Sequence, residues 1–211
     1  PPPYSSAASD VYKRQIEQSV FFVRQDQKRA RLENLLRDEN LKRAIVFTRT
    51  KHRANRVCEQ ITKLGIKSQA LHGNKSQAAR QKALEAFRNG EIKVLVATDI
   101  AARGIDVDGI THIINFELPN IPEDYVHRIG RTARAGAHGA AISLCDPSEQ
   151  TYLRGIEKLI KNRISVAGGE PSNDETKSSV KHGKQQKNEV PQNNKRRKFK
   201  RFHRKRSARA A

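Results

Sequence analysis

In this chain of 211 residues, the side chains best suited to chemistry stand in one run: His127, Arg128, Ile129, Gly130, Arg131, Thr132, Ala133, Arg134, Ala135 and Gly136. Pro122, followed by Glu123 and Asp124, reads as a helix start, because proline suits the first helical position and acids suit the first turn. Continued through residue 134, that helix carries His127, Arg131 and Arg134 on one face at i, i+4 and i+7. Val126, Ile129 and Ala133 lie on another face that can dock on a core. Arg128 adds a charge one turn before Arg131. Fixed guanidinium groups in this pattern suit phosphoryl transfer, where arginine stabilises the charge spread over the equatorial oxygens. The alternative is a solvated basic face.

A second polar run, Thr98 and Asp99 through Arg103, Gly104, Ile105 and Asp106, follows residues 92–97, an apolar stretch rich in β-branched side chains that reads as a buried strand. It sets polar groups at a strand's carboxyl end, where open α/β sheets bind ligands. The two runs together resemble motifs V and VI of the DEAD-box RNA helicases. Residues 46–51 resemble motif IV of that family. Leu71, His72 and Gly73, with Gln77 and Arg80, resemble its glycine turn and Gln-x-x-Arg element, and residues 115–119 its strand-to-helix connection before motif VI. The resemblance covers roughly residues 16–164. Ala133 stands where the family usually has glycine, a change that a helix should tolerate.

The resemblance implies roles residue by residue. Asp106, beside Gly104, would accept hydrogen bonds from the ATP ribose; Arg131 and Arg134 would reach the γ-phosphate, while Arg128 and His127 bridge to a partner domain. Thr50, Arg49, Gly73, Gln77, Arg80 and Thr98 would line an RNA backbone, contacts that fix register without reading sequence. On the residues alone, Asp106 equally caps a local turn, Arg128 pairs with Asp99 or Glu123, and Thr50 is a plain helix cap. A Gly-x-x-x-x-Gly-Lys-Ser/Thr loop and an Asp-Glu-Ala-Asp run are both missing from the sequence. In the family they belong to the preceding N-terminal RecA-like domain, so ATP is the implied cofactor, Mg²⁺ is held by that other domain, and no metal site is expected here.

The chain is accordingly expected to be the C-terminal half of an ATP-dependent RNA helicase. It would be an ATP hydrolase in the intact protein, inactive alone, closing with the N-terminal domain over RNA to pry apart a short duplex. A stand-alone RNA-binding or annealing module is the alternative, and a DNA-directed superfamily-2 half is a third reading that the motif wording disfavours. The basic tail and residues 123–128 resemble the bacterial RhlE-like subgroup, with ribosomal precursor particles or RNA-decay machinery as implied partners.

Regular alternation of strand-like and helix-like segments must hold these residues in place. Strands at 16–23, 44–47, 68–71, 93–97, 111–115 and 140–145, separated by helices, imply βαβ units. The expected fold class is α/β, a RecA-like three-layer domain with a mainly parallel sheet. Residues 1–15, rich in Pro, Ser and Ala, are set aside as a linker or non-native segment; the helicase-like domain takes 16–165 and a disordered basic tail takes 166–211. From residue 170 onward there are 14 Lys/Arg against 4 Asp/Glu, and Phe199 and Phe202 are the only aromatics, too few to offset the entropy of ordering. A net charge of +20 points to a polyanionic partner. The run 195–209 has ten basic residues and no acid, which suits salt-sensitive RNA affinity ahead of a nuclear targeting role. Cys58 and Cys145, without metal-ligand spacing, read as reduced core thiols. No run approaches membrane-spanning length and no signal-peptide pattern opens the chain, so a cytoplasmic setting is expected.

Overall fold

A computed structural model describes residues 16–133 and 138–171. The chain divides into units 1–174 and 175–211. The second unit, with the basic run, lies outside the described residues, as do residues 1–15 and Arg134.

The strands are β1 (Ile16–Phe22), β2 (Ala44–Phe47), β3 (Ser68–Leu71), β4 (Val94–Ala97), β5 (His112–Asn115), β6 (Gly139–Cys145) and β7 (Ser165–Gly168). The helices are α1 (Lys28–Leu36), α2 (Lys51–Lys63), α3 (Gln77–Arg88), α4 (Asp99–Ala102), α5 (Pro122–Ile129) and α6 (Gln150–Ile160). All seven strands form one sheet in the order β3-β4-β2-β5-β6-β1-β7, and every recorded pairing is parallel. This is the expected α/β, RecA-like architecture. Strand β7 was not anticipated: it pairs with β1 and carries the sheet past residue 165. Its four residues are mostly exposed, so they lack the apolar pattern that marks a strand in sequence.

The central strands explain the three layers. All four residues of β2 and of β4 are buried, as befits parallel strands covered on both faces. Ala44 and Val46 share a core with Leu32 and Leu36 of α1 and Val57 and Ile61 of α2. Ile45 and Phe47 share the opposite core with Phe87 of α3, Tyr125 of α5 and Ile156 of α6. Helix starts follow their caps: Thr50 Oγ1 accepts from the Arg53 N–H at 3.2 Å, and Ser76 Oγ from the Ala79 N–H at 3.2 Å. Cys145 is a buried free thiol pushed up to about 12 by burial and by Glu149, which makes it inert at neutral pH.

One expectation fails. The helix from Pro122 does not run through residue 134; it ends at Ile129, with Gly130 as its C-cap. The Arg131 and Thr132 N–H groups then bond three residues back, to the carbonyls of Arg128 and Ile129. The Thr132 hydroxyl donates to the Ile110 carbonyl and draws the chain toward the loop before β5. His127 and Arg131 therefore do not share a continuing helical face. Val126, expected to dock on the core, is 38% exposed, and Tyr125 is buried in its place.

Ala133 is likewise not helical: its φ is 55°, the left-handed region in which glycine is favoured. Ala133→Gly removes a backbone penalty of about 1–2 kcal/mol, but it loses a buried methyl worth about 0.8 kcal/mol and adds unfolded-chain entropy of about 0.5–1 kcal/mol. The substitution is expected to move stability by less than about 1 kcal/mol in urea unfolding. Alanine is therefore expected to be tolerated here, because these terms nearly cancel. Gly139 at the start of β6 is needed for close approach, since a Cβ there would lie 2.3 Å from Thr132 Oγ1.

Candidate nucleotide and nucleic-acid interface

Strand order assembles the candidate residues. The loops bearing Thr50, Gly73 and Thr98 leave the carboxyl ends of β2, β3 and β4, three adjacent strands. Two strand spacings put them within roughly 10 Å along one edge of the sheet. Gln77 and Arg80 lie in the first turn of α3, just beyond Gly73. From the adjacent strands β2 and β5 the chain leaves in opposite directions, toward β3 and toward β6, and such a switch point opens a crevice at the carboxyl edge.

Thr50 is exposed and caps α2, so the cap reading and an outward-facing position hold together. Thr98 is nearly buried, and its N–H donates to the Leu71 carbonyl at 3.3 Å, tying the end of β4 to the end of β3. His72, beside Gly73, bonds through Nε2 to Asn55 Oδ1 at 2.9 Å. Burial and the neighbouring Lys75 hold its imidazole below the usual range, so it is neutral at pH 7. Its Nδ1 is the one buried side-chain polar atom without a partner among the described residues.

The guanidinium of Arg49 is turned toward acids of its own domain. It lies 3.3 Å from Glu149 and 3.8 Å from Glu117, donates to Asn120 Oδ1 at 3.3 Å, and sits over the Tyr152 ring. It remains about a third exposed.

A shallow notch of about 10 Å³, room for one water, lies beside this edge. Phe47, Asp99, Arg103, Asp124, His127, Arg128 and Arg131 are among its lining residues. Arg128, the most charged-looking of these in sequence, is only 1% exposed. Its Nε and Nη2 donate to the two oxygens of Asp99 at 2.5 and 2.8 Å, and its Nη1 to Asn115 Oδ1 at 3.0 Å and the Glu117 carbonyl at 2.7 Å. The Phe47 ring lies 4.9 Å beneath the guanidinium. Of the two readings of Arg128, the structure has the pairing with Asp99; the side chain does not stand on an open basic face.

Arg131 is half-buried at the rim. Its Nη1 donates to the Ile105 carbonyl at 3.0 Å and its Nε to the His127 carbonyl at 3.3 Å. The first of these bonds joins the 127–133 segment to the Gly104–Asp106 loop, the two runs that sequence alone separates by about thirty residues. Gly104 has φ +80°, so only glycine takes that turn without strain. Asp106 is exposed, and its backbone carbonyl accepts from Arg88. His127 is exposed at the same rim. Arg134 lies outside the described residues. Among the described residues there is no His/Cys/Asp/Glu cluster able to hold a metal ion.

Sequence reading missed several members of this neighbourhood. Arg103, on the exposed side, pairs with Asp124 at 3.5 Å. Lys28 is fully buried against Asp146, Glu149 and the Phe116 carbonyl. Two signals were present for it. Lys28, Leu32 and Leu36 share a helical face at i, i+4 and i+8, and Asp146 to Glu149 has the Asp-x-x-Glu spacing of a capping box, which the structure contains.

Comparison with known proteins agrees with this geometry. The model of the helicase conserved C-terminal domain matches residues 27–136, just over half of the chain. The ATP-dependent RNA helicase RhlB of Pseudomonas syringae pv. tomato is 45% identical over 150 residues, 71% of this chain and 38% of that protein. The DEAD-box ATP-dependent RNA helicase CshA of Bacillus subtilis is 43% identical over 157 residues, 74% of this chain and 32% of that protein. The chain thus spans about a third of the length of these curated relatives. Among solved structures, the E. coli DEAD-box protein SrmB bound to regulator of ribonuclease activity A superposes with a TM-score of 0.69 at 37% identity, covering 72% of this chain and 89% of that one. S. cerevisiae Dbp5 bound to RNA and ADP BeF3 superposes at 0.68 with 30% identity, covering 73% of this chain and 42% of that one. With the sheet order, the joined polar runs and these matches in agreement, the chain belongs to the helicase conserved C-terminal domain family, in its DEAD-box branch.

Proposed function

We propose that this chain serves as the second RecA-like half of an ATP-dependent RNA helicase, offering an arginine wall to a nucleotide and a backbone-binding edge to RNA. The observation that carries the reading is the junction of Arg131 with the Gly104–Asp106 loop beside the edge that bears Thr50, Gly73 and Thr98. A nucleotide site and an RNA site that share one crevice can be coupled by closure of a single cleft. The notch is far too small to enclose a nucleotide, which fits a site completed by another domain. Bound there, ATP supplies a phosphoryl group whose release changes how tightly the two halves hold together. Arg131 and, by sequence, Arg134 would face its phosphates, and Asp106 its ribose hydroxyls. Mg²⁺ would be held by the preceding domain.

The RhlE-like subgroup, the cytoplasmic setting and the link to ribosomal precursors or RNA decay belong to this same proposal. SrmB with its bound regulator of ribonuclease activity is the neighbour that makes the RNA-decay link worth testing. The reading of a stand-alone RNA-binding module differs in one respect, the need for a preceding domain.

The test uses the chain with a labelled single-stranded RNA. It should bind weakly and hydrolyse no measurable ATP, and its affinity should fall steeply with salt. Removing residues 175–211 deletes 14 Lys/Arg. If about five of them meet phosphates, the slope of log K against log salt shrinks by about 3.5. Affinity that ignores salt, or a slope unmoved by the deletion, would remove the tail from RNA binding. ATP turnover by the chain alone would replace the helicase-half reading with that of a self-sufficient enzyme.

A further inference from the structure

Beneath Thr50 lies a charge network that the reading above leaves unused. Three cations (Lys28, Arg49, Arg53) meet three carboxylates (Glu117, Asp146, Glu149). It grades from fully buried at Lys28 to about a third exposed at Arg49 and Arg53. Buried ion pairs of this kind return little net stability against an apolar alternative, but they hold geometry where each member is satisfied.

Glu117 occupies the telling position. It stands just past the end of β5, the strand next to β2, and its Oε2 accepts the N–H of Arg49, the residue before Thr50, at 2.9 Å. Its Oε1 lies 3.4 Å from Nε of Arg53, whose own N–H donates back to Thr50 Oγ1 at 3.2 Å. One carboxylate thus grips the chain on both sides of Thr50. Glu149 backs the grip by holding Arg49 at 3.3 Å and accepting the Leu118 N–H at 3.2 Å.

We propose that Glu117 is a positioning residue for the nucleic-acid contact at Thr50, holding the Arg49–Arg53 turn in its binding shape from the neighbouring strand. The inference rests on the RNA reading above. It makes a prediction opposite in sign to simple electrostatics. Removing a carboxylate near a polyanion should tighten binding, since one repulsion is lost. Removing the grip should loosen it, because the turn must then be ordered at the moment of binding.

The experiment measures anisotropy of a fluorescein-labelled oligouridine with the full chain. Glu117→Gln keeps size and one acceptor but sets an amide against the cations. It should raise Kd about five- to tenfold, with the salt slope unchanged because no phosphate contact is lost. In a Thr50→Val background the same substitution should change Kd by less than about twofold, as expected for residues that act through one contact. Glu117→Asp, which keeps the charge but is too short to reach both sides, should weaken binding in the same direction, so the proposal stays testable if the Gln variant melts early. Tighter or unchanged binding by the Gln and Asp variants overturns the proposal, as does an equal loss with and without Thr50. Failure of the unsubstituted chain to bind RNA is a different result: it removes the RNA reading itself, and with it the contact that Glu117 would position.

Discussion

In a protein carrying both helicase domains, Arg131→Ala lowers RNA-stimulated ATP turnover by roughly 10³-fold or more while RNA affinity changes little. The expectation follows from where this arginine sits. Arg131 is at the rim of the notch, and its guanidinium is oriented by the carbonyls of Ile105 and His127. Bonds to these carbonyls fix the direction of the guanidinium in advance, and such preorganisation suits a group expected to meet charge developing on a phosphoryl oxygen. Arg131→Lys should recover little, because a compact ammonium cannot reproduce the planar fork. Single-turnover phosphate release, measured beside RNA anisotropy, checks both halves of the statement. Turnover within tenfold of the unsubstituted protein would take Arg131 out of the site.

The second large effect falls on stability. Arg128→Met in this chain should cost about 3–5 kcal/mol in urea unfolding, because it strands the Asp99 carboxylate, the Asn115 amide and the Glu117 carbonyl. Asp99 is about a fifth exposed, which favours the lower end, about 3 kcal/mol, since water can reach part of the abandoned charge. The double substitution Arg128→Met with Asp99→Leu should recover a good part of the loss, as removing both partners leaves no unpaired charge. A destabilisation below about 1 kcal/mol for the single variant would mean that Arg128 is a surface arginine after all. The two arginines, three positions apart in one motif, are thus expected to fail differently: one in turnover, the other in folding.

That contrast was only half legible in the sequence. Residue types and spacing identified both arginines as members of one motif, and an extended helix put them on a common polar surface. The helix stops at Ile129, though, because Gly130 caps it and the Thr132 hydroxyl reaches the Ile110 carbonyl, a partner twenty-two residues upstream. The Tyr125, Arg128 and Ile129 pattern at i, i+3 and i+4 was a faint signal that Arg128 faces inward. Charge argued the other way, and charge prevails in a hydropathy reading. Lys28 was obscured for the same reason, despite sharing its face with Leu32 and Leu36.

The sequence by itself determined what depends on near neighbours. Four-residue apolar runs made β2 and β4, Thr50 and Ser76 started their helices, and Gly90 with its φ of +76° ended α3, all within a few residues of where pattern placed them. Motif wording also carried the family, since residue types and their spacing are local properties of the chain. Tertiary structure alone decided which charges could be buried. An ion leaves water only where opposite charge and hydrogen bonds meet it, and the partners of Arg128 and Lys28 arrive from distant segments of the chain, up to 121 residues away. No local window contains that information. The strand order that brings Asp99, Asn115 and Glu117 to one edge therefore separated Arg131, half-buried at the rim, from Arg128, buried among those partners.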